Sequence, residues 1–223
     1  MPRFLTHLLV CLGLAAGPLG AENTPVPAAQ SEPPPQRDTA LPRTRWELQG
    51  DGNLWTRVVM SAVRSHGQAL IRTVPKDIAD WCPAYAGASP DDRAAFWAGL
   101  ISTLARYEST WKANAVGGDG RWFGLMQIYP PTAEFRNCRV TSGPALLHGP
   151  SNLNCAVRIM ATTVPRDTAI SVKDSRWRGV AADWGPIRTD WMRRDMQRYT
   201  RGQTYCRLLS EVRPKPRPAA PSP

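Results

Sequence analysis

Glu108 is the residue of this sequence best placed to do chemistry. It lies within the stretch Ser89 to Ile128, SPDDRAAFWAGLISTLARYESTWKANAVGGDGRWFGLMQI. Ser89 suits an N-cap, Pro90 the first helical position, and Asp92 follows three residues after the cap. Asp91 and Asp92 also suit the positive end of a helix dipole. These signals predict a helix from Pro90 to about Trp111. At 100° per residue, Trp97, Ile101, Leu104 and Glu108 fall within a narrow arc. A carboxyl on an apolar stripe is disfavoured as a charge, so its pKa rises. A carboxyl still protonated near neutral pH can act as a general acid. The same spacing is equally compatible with a Glu at a frayed helix end that reaches into water.

After Glu108 the chain reads Glu108-Ser109-Thr110-Trp111, then a Gly-rich loop, then Gly124-Leu125-Met126-Gln127-Ile128, then Pro130-Pro131-Thr132-Ala133. Pro150-Ser151-Asn152-Leu153 comes later. In order and spacing these motifs resemble the soluble lytic transglycosylase (SLT) domain family of the lysozyme-like superfamily, over roughly Phe96 to Met160. The resemblance implies a mainly α-helical, α+β lysozyme-like domain with a small loop or hairpin region beside a glycan cleft. It implies peptidoglycan strands as substrate, with cleavage of the β-1,4 bond between N-acetylmuramic acid and N-acetylglucosamine. Glu108 would be the acid and then the base, the muramoyl 6-hydroxyl would attack, and the product would carry a 1,6-anhydro sugar. No cofactor is implied.

The resemblance also suggests substrate-binding positions. Ser109 would bind substrate and help orient Glu108. Gln127 would contact sugar, with the Met126 main chain contributing and Tyr129 edging the groove. A polar Gln between two apolar residues needs hydrogen-bond partners, either ligand or backbone. Asn152 matches the family's Asn and would support the wall of the site. Gly117 stands where most transglycosylases carry Ser. The Gly-Asp in Val116–Phe123 instead resembles goose-type lysozymes, in which a loop acid positions a hydrolytic water; Asp119 is the candidate, and a solvated turn Asp is its plain alternative. The loop lacks the Gly-Lys-Ser/Thr of a phosphate loop, so nucleotide binding is not expected. In Val180–Arg188, VAADWGPIR, Ala182 and Asp183 replace a family Tyr-Asn, and Trp184 could take over the aromatic role.

Composition bounds the rest. With 42% hydrophobic and 21% charged residues and a mean hydropathy of −0.36, the chain reads as soluble. Residues 1–21 read as a secretory signal peptide that carries Cys11 away with it. Residues 22–43 are a Pro-rich linker, 44–211 the folded domain, and 212–223 a basic Pro-rich tail. No stable membrane insertion is expected, and the product is exported, periplasmic or secreted. Cys82, Cys138, Cys155 and Cys206 then remain, an even count that suggests two disulfides. Three pairings are compatible with the sequence. The expected one is Cys138–Cys155, clipping the loop after Gly-Leu-Met-Gln, with Cys82–Cys206 tying the domain ends. No Cys-x-x-Cys or His-x-x-x-His spacing exists, and no metal is expected.

Leu54, Val58, Val59 and Ala62 predict a helix from Asp51 to about Ser65, and Gly67 a stop. Asp80-Trp81-Cys82-Pro83 reads as a turn. Ser151 is expected to cap a helix through Leu153, Ala156, Val157 and Met160. Thr189 is expected to cap a last helix whose Trp191, Met192, Met196 and Tyr199 read as core. The formal charge of +10 favours an anionic partner. With no nucleic-acid motif, cell wall is the simplest such partner. Nine tryptophans add weight, since aromatic faces stack on sugar rings. A monomer is expected, and an envelope-complex partner for the Pro-rich tails stays open. Two other functions fit the same residues: a lysozyme-type hydrolase using Glu108 and Asp119, and a non-catalytic wall-binding or secretion-scaffold protein that keeps the fold.

Overall fold

The structure, a computed structural model of the chain, describes residues 41–208. The signal peptide, nearly all of the linker, and the tail therefore lie outside the described residues. Around a central helix, α4 (Pro90–Ser109), the other elements are arranged. Its start follows the sequence signals. The Ser89 hydroxyl accepts from the Asp92 backbone N–H at 3.1 Å and donates to the Asp92 carboxylate at 2.8 Å. From Ala94 to Ala105 every residue is buried, so α4 is covered on all sides rather than along one stripe. The covering elements are α1 (Gly52–Arg64), α2 (Gln68–Arg72) and α8 (Asp190–Arg201), with the 3-10 turns Tyr85–Gly87, Pro186–Arg188 and Thr204–Cys206. A long helix, α7 (Gly149–Asp167), packs against α1 and α2 on the outside.

The end of α4 differs from the expectation. It stops at Ser109, not Trp111, because Thr110 and Trp111 turn left-handed at φ 53° and 59°. The reversal lets the Trp111 indole donate back to the Ser102 carbonyl at 2.9 Å. The Gly-rich loop that follows is a small antiparallel hairpin, β1 (Val116–Gly117) with β2 (Trp122–Phe123), Gly117 opposite Trp122. Phe123 and Ile128 then exchange two backbone hydrogen bonds of 3.1 and 2.9 Å, which close Gly124–Gln127 into a tight loop. The short helices α5 (Pro130–Phe135) and α6 (Gly143–Leu146) complete this side. The whole is mainly helical with one small hairpin, as the α+β lysozyme-like expectation required.

Both expected disulfides are present, Cys82–Cys206 and Cys138–Cys155. Three local expectations need correction. Helix α7 begins at Gly149, with His148 at the N-cap position, because Pro150 already fits the first turn; Ser151 lies inside the helix and bonds the His148 ring at 2.8 Å. The Asp80–Trp81 segment is the end of a one-turn helix, α3 (Ile78–Trp81), and Cys82 follows it. Trp191 is not core: it is 57% exposed. Met196 and Thr200 define the buried face of α8, and Trp191 points about 140° away from Met196 around the helix axis.

Candidate active site

Glu108 stands in the last turn of α4, where the helix leaves the core. The residue is half-buried, yet its Oε1 is shielded from solvent and has no hydrogen-bond partner. Burial pushes the carboxyl up from its ordinary 4.5 to about 8, and the nearby positive charge of Arg188 pulls weakly the other way. The chain thus holds a neutral carboxyl at pH 7 with a proton to give. The remaining exposure of the side chain leaves it open to a ligand.

Arg188 had no role in the sequence reading. It belongs to the turn Pro186–Arg188, which packs against α4. Its guanidinium donates to the Ala181 and Ala182 carbonyls at 2.7 and 2.8 Å. Those bonds fix the segment that carries Asp183 and Trp184. Trp184 is buried, and its indole N–H donates to the Met126 carbonyl at 3.0 Å. Asp183 lies 4.0 Å from Arg136, and burial raises its carboxyl despite that partner. No sequence signal pointed to Arg136.

Gln127 adopts φ 45°, a costly conformation for a non-glycine residue and one found at ligand-binding walls. Its amide nitrogen donates to the Ala115 and Gly124 carbonyls at 3.2 and 2.9 Å. Both of its donors therefore serve the backbone. A Cβ on Gly117 would come within 2.3 Å of its Oε1, so a side chain there would require the Gln127 amide to shift. Asn152 is fully buried. Its Oδ1 accepts from the Met126 N–H at 2.9 Å, and its Nδ2 donates to the Phe123 and Leu146 carbonyls at 2.8 and 3.0 Å. Gly124, at φ 78°, makes this possible, since any side chain there would strike Asn152 and the Leu146 carbonyl.

The remaining candidates divide by exposure. The Met126 side chain is buried, and the Ser109 hydroxyl donates to the Ala105 carbonyl of its own helix at 3.2 Å. Tyr129 is 42% exposed. Asp119 is exposed at the hairpin tip at φ 53°, between Gly118 and Gly120, which are also left-handed. A large groove of about 830 Å³, lined by Arg57, Met60, Arg64, Asp91 and Tyr205 among others, opens at the far end of α4. The rise of the helix puts Asp92 roughly 24 Å from Glu108, so this groove is remote from the acid. Among the described residues no group of three or more His, Cys, Asp or Glu could hold a metal ion.

Comparison with known proteins bears on the fold that carries this site. Residues 89–182 match the family described as Transglycosylase SLT domain. Among solved structures, Bd0314 DslA in its wild-type form 2 aligns with a TM-score of 0.68 at 27% identity, covering 76% of this chain and all of that one. Two DslA variants, each with one glutamate replaced by glutamine, align with TM-scores of 0.69 and 0.68. No curated protein matches the chain by sequence.

Proposed function

We propose that this chain, which carries an SLT-type lysozyme-like domain, is a lytic transglycosylase that cuts peptidoglycan strands between N-acetylmuramic acid and N-acetylglucosamine. The observation that carries the proposal is Glu108: a shielded carboxyl oxygen with no partner, neutral at pH 7, at the open end of a rigid helix. Glu108 donates its proton to the glycosidic oxygen as an oxocarbenium-like transition state forms. The substrate acetamido group assists. The muramoyl 6-hydroxyl then attacks C1 and gives its proton to the Glu108 carboxylate, while the leaving 4-hydroxyl keeps the first proton. Because the attacking group belongs to the substrate, it gains the advantage of an intramolecular reaction and needs no second carboxylate. Arg188 favours the carboxylate in the interval between the two proton transfers.

The loop Gly124–Gln127 forms one wall in this reading, with Asn152 and Trp184 fixing it from behind and Tyr129 at its edge. Export belongs to the same proposal: residues 1–21 direct secretion, and residues 22–43 and 212–223 flank the domain. The two disulfides support an oxidising compartment.

The deciding experiment is the mass of the products from purified peptidoglycan. Anhydro ends are expected from the wild type. Glu108→Gln should slow wall clearing by about 100-fold or more. Equal clearing by the two proteins would reject catalysis by Glu108, and no clearing by either would leave a wall-binding scaffold.

One observation favours a hydrolytic reading. The two glutamates replaced in the DslA variants stand eleven residues apart, as Glu108 and Asp119 do here. In that reading Asp119 positions a water, the products carry reducing ends, and Asp119→Asn abolishes their formation. Transglycosylation would survive that substitution.

A further inference from the structure

Trp191 lies in the first turn of α8, three residues after Arg188. It is 57% exposed. Its ring meets the Tyr107 ring edge-on, at 5.6 Å between centroids and 85° between planes. Tyr107 is the neighbour of Glu108 on α4. The start of α8 is therefore tied to the acid's helix turn twice, through the charge of Arg188 and through this aromatic pair.

The shelf beneath is rigid. The Tyr107 hydroxyl donates to Asp195 at 2.6 Å. Asp195 is held in turn by Arg45 through a charge-assisted pair. The Arg106 guanidinium lies 5.7 Å from the centre of the Tyr107 ring and 3.9 Å from Asp195, and keeps 43% of its side chain exposed. Arg194, 65% exposed, follows on the outer face of α8, 3.9 Å from Asp190.

We infer that Trp191, backed by Tyr107 and flanked by Arg106 and Arg194, is a subsite for the glycan strand next to Glu108: the indole stacks on a sugar ring and the guanidinium groups meet the carboxylates of the peptide stems. This rests on the reading of the chain as a peptidoglycan enzyme. Two features select the occupant. The shelf adjoins the helix turn that carries the acid, through the Tyr107 ring. Around it Arg45, Arg106, Arg193 and Arg194 outnumber Asp190 and Asp195, and a peptidoglycan strand carries sugar faces together with carboxylates.

The test is binding by the Glu108→Gln protein, which cannot consume its ligand. Purified peptidoglycan strands, intact or stripped of their stem peptides, are titrated against it and against its Trp191→Ala and Trp191→Phe derivatives. Trp191→Ala should weaken binding to both kinds of strand about tenfold, with only a small drop in melting temperature from the lost Tyr107 contact. Trp191→Phe should restore most of the affinity. Charge reversal at Arg194 should weaken binding to intact strands only. Unchanged binding by Trp191→Ala overturns the subsite and leaves the acid role of Glu108 standing. Loss of a dimer on Trp191→Ala, seen by sedimentation with no change in strand binding, overturns it too, since the indole would then face a second copy. Absence of cleavage by the wild type bears on the activity alone, because this assay reads no turnover.

Discussion

At the scale of the residue, function depends on one proton. The Glu108 carboxyl is neutral in the folded chain up to a pH of about 8, whereas an unfolded chain releases that proton near 4.5. Below 4.5 both states are protonated and the group adds no pH dependence. Between 4.5 and 8 the folded chain binds more protons than the unfolded one, so stability falls as pH rises, and above 8 the full loss has been incurred. Allowing for the accessible part of the side chain, the loss is about 3 kcal/mol. Thermal scans should show the wild type melting lower at pH 9 than at pH 5, with a flatter profile for Glu108→Gln. Cleavage should decline over the same alkaline limb, because a general acid fails once it has ionised. The sequence placed Glu108 near apolar neighbours but left open whether it faced water. Turn periodicity cannot show how far the surrounding elements reach over the end of a helix, and here the Pro186–Arg188 turn, remote in sequence, decides it.

At the scale of the element, the loop Gly124–Gln127 has few bonds of its own and borrows rigidity from α7. Asn152 supplies three hydrogen bonds to it and to the Leu146 carbonyl. Asn152→Ala takes the partner from the buried Met126 N–H and from the Leu146 carbonyl, while the Phe123 carbonyl keeps the Ile128 N–H; the cost is about 3 kcal/mol. Urea unfolding should register that loss, and cleavage should fall as the wall loosens. The cap of α4 was readable because Ser89, Pro90 and Asp92 act within one turn. The hairpin was half-readable, since its glycines mark a turn but not a register. Trp191 was misread as core because apolar spacing was judged along the helix without fixing which face Met196 and Thr200 bury. The true partners of Gln127, the Ala115 and Gly124 carbonyls, depend on a left-handed backbone that residue types alone do not reveal.

At the scale of the molecule, the two disulfides hold different spans. Cys138–Cys155 closes 17 residues and Cys82–Cys206 closes 124. In the chain-entropy account these contribute about 3 and about 5 kcal/mol. Replacing the Cys82–Cys206 pair by alanine should therefore lower the melting temperature more than replacing the Cys138–Cys155 pair. Calorimetry of the two double variants checks the order. The even cysteine count and the order of the motifs made the architecture legible from sequence. The helix packing around α4 was not, because it joins residues from Trp46 to Cys206 that no local pattern connects.

The covering of α4 on every side carries a consequence for how such a chain can vary. One residue added between Ala94 and Ala105 would advance everything beyond it by 1.5 Å and swing it through 100°. Glu108 would then leave Arg188, and every buried side chain downstream would arrive at the wrong neighbour. Changes of length are expected in outer turns such as the hairpin tip at Gly118–Gly120, while the rod itself works as a fixed ruler between its capped start and its acid.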